Sequence, residues 1–143
     1  MSDSARISRG VCKDRLKDKV VLITGAGGGQ GQIIALLFAE AGARVFASDI
    51  NADTLETTRR LAIEKGLSIT TTVVDASSEE QTQTWAAEVL GKEGRIDVLY
   101  NNGAHVHMAS FEDMTVDQWH ETIRLELDVI FMPTKAVWPA MVK

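Results

Sequence analysis

The sequence has one cysteine, Cys12, which excludes an internal disulfide, and a single thiol makes no metal site. That usage fits a reducing compartment. No apolar run approaches the roughly 20 residues needed to cross a bilayer. The first fifteen residues, MSDSARISRGVCKDR, mix charges without an apolar centre, so they do not read as a secretory leader. They read as an N-terminal arm, residues 1–15, ahead of one domain over residues 16–143. Basic excess is missing too. The net charge is −5, whereas nucleic-acid binders gather Lys and Arg on one face. The expectation is a cytoplasmic globular chain with no membrane, nucleic-acid or metal partner.

What is present alternates. VVLIT (Val20–Thr24) is a β-rich run ending at glycine. From Gln30 to Ala41, Ile34, Leu37, Phe38 and Ala41 fall at helical spacing, and Gly42 stops the helix. RVFAS (Arg44–Ser48) predicts a second strand, with Asn51 or Asp53 capping a helix to about Lys65. SITTTVV (Ser68–Val74) predicts a third. Ser78-x-x-Gln81 resembles a capping box for a helix closing near Gly91. IDVLYNN (Ile96–Asn102) predicts a fourth strand, and Thr115-x-x-Gln118 a box for a helix to the chain end. Strands separated by helices pair in parallel through right-handed crossovers. Apolar strands without alternation fit a sheet covered on both faces.

The stretch ITGAGGGQGQ (Ile23–Gln32) sits between the first strand and the first helix. Two phosphate-binding designs compete for it. A P-loop closes with Lys-Ser/Thr, and the first lysine after Gly25 is Lys65, so that design fails. A dinucleotide turn uses bare backbone for the bend, for close approach of a pyrophosphate and for helix–strand packing. It also uses a carboxylate about 20 residues on, at the end of the second strand, to accept ribose hydroxyls. Asp49 stands there. Its charge would repel a 2′-phosphate, so NAD is expected over NADP. S-adenosylmethionine enzymes use the same physics, and the longer spacing pattern separates the two.

Thr24-Gly25-x-x-x-Gly29-x-Gly31 resembles the T-G-x-x-x-G-x-G pattern of the short-chain dehydrogenase/reductase family. RIDVLYNNGA (Arg95–Ala104) is similar to that family's strand and N-N-A-G segment. DQWHETIRLELDVIFMPTKAVWPAM (Asp117–Met141) is similar to its long interface helix. The resemblance runs from about Leu16 to Lys143. It implies a Rossmann-like doubly wound parallel sheet, a nicotinamide cofactor, and hydride transfer on a small alcohol or carbonyl. It also implies that Gly25, Gly29 and Gly31, with Gln30 between them, lie against the pyrophosphate. Asp49 and Ile50 would meet the adenine ribose, Asp75 and Ala76 would flank the adenine, and Asn101 and Gly103 would lie under the nicotinamide ribose. Asn101 would also brace the sheet. The chain has Gly103-Ala104 where the family has Ala-Gly, which shifts the smallest residue by one place.

The family's proton transfer uses a serine and a Tyr-x-x-x-Lys pair beyond the long helix. The one tyrosine here is Tyr100, followed four places on by Ala104, and Glu126 stands where the family has its catalytic asparagine. No catalytic residue is therefore assigned. The expectation is the cofactor-binding half of an oxidoreductase, truncated after the fourth strand and its helix. The alternative is a nucleotide-binding module without turnover.

In the order 3-2-1-4 the fourth strand would be an open edge. The last helix carries two apolar stripes, Trp119, Ile123, Leu127 and Ile130 on one side and Leu125, Val129, Met132 and Ala136 on the other. The helix 115–143 is therefore expected to pair with a second copy. Pro133 should kink it. His105-x-His107 would need a third ligand to hold a metal, and spacing indicates none; the pair is either a pocket wall or ordinary loop residues. Glu126 borders an apolar stripe, as a functional position or as an exposed face of an incomplete fold.

Overall fold

The computed structural model describes residues 13–142. Cys12, most of the expected arm and Lys143 lie outside the described residues. Four strands alternate with helices: β1 Val20–Ile23, α1 Gly29–Glu40, β2 Arg44–Asp49, α2 Ala52–Glu64, β3 Ile69–Val73, α3 Glu79–Glu93 and β4 Val98–Tyr100. The last segment is α4 Val116–Ile123, a π turn Arg124–Asp128, and α5 Val129–Met141. The sheet order is β3-β2-β1-β4 and every pairing is parallel. This is a Rossmann-like doubly wound sheet. Its strand order reverses between β1 and β4, which makes the carboxyl ends of those strands the place for a ligand.

All four residues of β1 are buried, as a central parallel strand requires. Val21 and Ile23 point into one core with Ala35 of α1 and Leu55 and Ala62 of α2. Val20 and Leu22 point into the other, with Trp85 and Val89 of α3 and Val137 of α5. Burying each of the valines, leucines and isoleucines among them contributes about 1.5–3 kcal/mol before the entropy of ordering is counted. Before the sheet begins, the Leu16 N–H donates to the Ala41 carbonyl (2.9 Å), tying the chain to the end of α1.

Three local expectations are corrected. Ser78 accepts from the Gln81 N–H (3.3 Å), but the Gln81 side chain turns away and accepts from the Asp75 N–H (2.8 Å), so this box is half made. Helix α3 runs on through Gly91 and stops at Gly94, whose left-handed backbone (φ 72°) closes it. The final segment is not one continuous α-helix. It departs from α geometry at Arg124–Asp128, upstream of Pro133, and α5 then runs through Pro133 and Pro139. The box at Thr115 and Gln118 is complete. The stripe through Val129, Pro133 and Val137 is buried. On the other side Trp119, Leu127, Ile130, Phe131 and Trp138 are each about half exposed.

Candidate functional site

The turn after β1 is braced from β4. Thr24 is fully buried, and its Oγ1 accepts the backbone N–H of Asn102 (3.1 Å) and of Gly103 (3.3 Å). Asn102 Nδ2 donates to the Gly25 carbonyl (3.1 Å). The packing leaves no room for side chains: a Cβ on Gly25 would sit 2.6 Å from the Gly103 nitrogen. Gly103 itself has space, its nearest contact being Thr24 Oγ1 at 3.7 Å. The exchange of Gly103-Ala104 for Ala-Gly is thus sterically neutral at the first position, because the residue that must be bare is Gly25.

Asp49 approaches the same turn from the end of β2. Its Oδ2 accepts the Gly27 N–H (2.8 Å) and its Oδ1 the Asn51 N–H (2.9 Å). Two backbone donors thus fix the carboxylate, and each oxygen keeps a lone pair for a further donor. Gly27, which the sequence reading did not single out, has no room for a side chain: a Cβ there would lie 2.3 Å from Thr54 Oγ1 and 2.8 Å from the Asp49 carboxyl. The turn is also held from α2. Buried Thr58 donates to the Ala26 carbonyl (2.7 Å) and accepts from Gln32 Nε2 (3.0 Å). Ile50 follows Asp49 with 64% of its surface exposed.

Helix α1 begins differently from its neighbours. Asn51, Ser78 and Thr115 cap α2, α3 and α4 through their side chains, and each of those helices has an acidic residue in its first turn. Helix α1 has Gly28 at its cap, no side-chain cap and no acid in the first turn. Its free N–H groups and the positive end of its dipole are therefore open to an anion. Gln30 is exposed in that first turn and does not cap it. The outer sides of Gly28 and Gly29 are clear: a Cβ on either would meet nothing within 4 Å.

At the end of β3, Asp75 Oδ1 accepts from the Ser77 N–H (2.9 Å) and hydroxyl (2.6 Å). Its Oδ2 lies 3.4 Å from Nη1 of Arg124. Ala76 beside it is half-buried. At the end of β4, Asn101 Nδ2 donates to Thr134 Oγ1 on α5 (3.0 Å), while its buried Oδ1 has no partner among the described residues. Asn102 braces the glycine turn, while Asn101 ties the end of β4 to α5.

His107 pairs with Glu121 (2.7 Å), and its ring stands edge-on to that of His105 at 5.6 Å. Among the described residues no three His, Cys, Asp or Glu side chains come together to hold a metal ion. Tyr100 packs edge-on against Phe38 on the α1 face, with ring centroids 5.9 Å apart. Glu126 is half-buried within the π turn. No helix among the described residues is long and apolar enough to cross a membrane.

The short chain dehydrogenase family model matches residues 19–143. The chain belongs to that family of oxidoreductases. It is 36% identical over 129 residues to the 3-oxoacyl-acyl-carrier-protein reductase FabG of Thermotoga maritima, covering 90% of this chain and 52% of that protein. A short-chain dehydrogenase/reductase structure from Burkholderia xenovorans superposes with a TM-score of 0.85 at 33% identity, over 90% of this chain and 53% of that one. An NAD+-bound xylitol dehydrogenase superposes with a TM-score of 0.84 at 32% identity, over 90% of this chain and 50% of that one. The chain spans about half the length of the relatives it matches.

Proposed function

We propose that residues 16–143 form the NAD(H)-binding part of an oxidoreductase acting on a small alcohol or carbonyl. One observation carries this reading. The uncapped start of α1 faces the carboxylate of Asp49, which Gly27 and Asn51 hold in place. The helix start suits a pyrophosphate, and the carboxylate suits the paired hydroxyls of an unphosphorylated ribose. Gly25, Gly29, Gln30 and Gly31 would line the pyrophosphate, and Ile50, Asp75 and Ala76 the adenosine. Asn101 and Gly103 would face the nicotinamide ribose, and the unpartnered Asn101 Oδ1 is an acceptor that a buried donor would satisfy. The cofactor would supply or take the hydride. The residues of this chain bind and orient it.

The second reading is a nucleotide-binding module without turnover. On either reading the exposed face of α4 and α5 suits a second copy of the chain, and the setting is cytoplasmic.

Titration with NADH and NADPH, followed by nicotinamide fluorescence, tests the proposal. NADH binds more tightly, and Asp49→Ala weakens NADH more than NADPH. Equal affinity for the two, or preference for NADPH, would remove Asp49 from the ribose. A panel of ketones with NADH separates the two readings: the isolated chain gives no turnover above background. Steady oxidation lost in Glu126→Gln or His105→Ala would show a replacement acid.

A further inference from the structure

The π turn carries more than an irregularity of the last helix. In an α-helix the Val129 N–H would take the Leu125 carbonyl; here it reaches one residue further, to Arg124. The Leu125 carbonyl is thereby released and accepts the N–H of His105 (3.3 Å), holding the loop that follows β4. The adjacent residue, Arg124, reaches the opposite loop. Its Nη1 donates to the Ser77 hydroxyl and lies 3.4 Å from Asp75 Oδ2. Two consecutive residues of one turn thus hold both the segment after β3 and the segment after β4.

Ser77 is itself bonded to Asp75 Oδ1 through its N–H (2.9 Å) and its hydroxyl (2.6 Å), so Arg124 meets a single preformed unit. The Asp75 side chain is 27% exposed, so part of it still faces outward. A carboxylate in solution rotates freely. This one is held at one oxygen by Ser77 and at the other by a guanidinium.

We propose that Arg124 is a positioning residue that sets the orientation of Asp75, and through it the preference of the cleft for an adenine base. This rests on the reading of Asp75 and Ala76 as flanking the adenine. An ionised carboxylate only accepts hydrogen bonds. Held with a lone pair toward the base, it accepts from the 6-amino group of adenine and repels the 6-carbonyl of hypoxanthine. Removing Arg124 lets the carboxylate turn, and the discrimination falls.

The test uses the full chain with NADH and with its deaminated counterpart, reduced nicotinamide hypoxanthine dinucleotide, both followed by nicotinamide fluorescence. The unaltered chain prefers NADH. Arg124→Met narrows that preference by about three- to fivefold, the scale of a partly exposed ion pair, with the melting temperature unchanged. Arg124→Lys, which keeps the charge but not the fork, restores part of it. In Asp75→Asn the further change Arg124→Met has no additional effect on the preference, because the two residues act through one contact. Equal weakening of both dinucleotides by Arg124→Met, or a preference that survives it, would overturn the assignment. So would independent effects in the double variant. If the unaltered chain binds neither dinucleotide, the cofactor reading itself fails; if it binds both equally, only the role of Asp75 and Arg124 fails.

Discussion

A Cβ on Gly31 would fall 1.9 Å from the carbonyl oxygen of Gly25, well inside the contact distance of unbonded atoms. The first turn of α1 therefore rests directly on the backbone of the loop it leaves, and the open helix start cannot be moved without moving the end of β1.

This contact orders the glycines of the site by cost. Gly31→Ala pushes α1 off the strand and destabilises the chain by about 2–4 kcal/mol, as expected for overpacking against rigid backbone. Gly103→Ala, whose added Cβ would be 3.7 Å from its nearest neighbour, changes stability by no more than about 0.5 kcal/mol. Urea unfolding of the two variants measures the difference. Equal costs would mean that the loop shifts freely and that the close approach has no structural consequence.

Acid should weaken the opposite end of the sheet. Burial raises the Asp97 carboxyl, but the Arg95 hydrogen bond, the Val20 N–H and the charges of Arg95 and Lys19 outweigh it and hold the group below its ordinary value. A carboxylate depressed in the folded state stabilises the fold above its unfolded pKa, and this stabilisation is lost as pH falls through the folded one. Asp97→Asn should therefore cost on the order of 1 kcal/mol at neutral pH. The gap to the unaltered chain then closes as pH drops below the ordinary carboxylate range. Melting temperatures from pH 7 to pH 2.5 follow it, and a gap that widens on acidification would contradict the assignment.

The uncovered side of α5 carries a groove lined by Phe131, Thr134, Lys135, Trp138 and Pro139, with a cavity volume of about 420 Å³. Trp138 and Phe131 expose 60% and 58% of their surfaces. An apolar face of this kind favours association. Light scattering after size exclusion should show particles larger than one chain at micromolar concentration. Trp138→Glu should shift the distribution toward the monomer, because it places a charge where an apolar contact forms. A monodisperse monomer of the unaltered chain, melting sharply, would show that this face needs no cover.

Much of the fold was legible in local spacing. Helical periodicity from Gln30 to Ala41, the stop at Gly42, and short β-rich runs between the helices place the four strands. Such signals depend on residues within a turn or two of one another, and parallel pairing then follows from the handedness of the crossovers. The Gly25–Gly31 turn and the offset to Asp49 were legible for the same reason.

The tertiary structure decided the rest, because those choices depend on partners far apart in the chain. Thr24 meets Asn102 and Gly103 from 78 and 79 residues away, and Arg124 meets Asp75 across 49. Ser78 and Gln81 read as a capping box in the sequence, but the Gln81 side chain takes the Asp75 N–H instead, once the loop after β3 comes within reach. The helix pattern from Thr115 onward reads as continuous, and the π turn arises where the Leu125 carbonyl is claimed by His105. In each case a local bond competes with one that exists only after the sheet has assembled. The sequence alone determined the strands and the glycine turn; the assembled sheet decided the strand order, and which backbone groups around that turn were already satisfied and which stayed open.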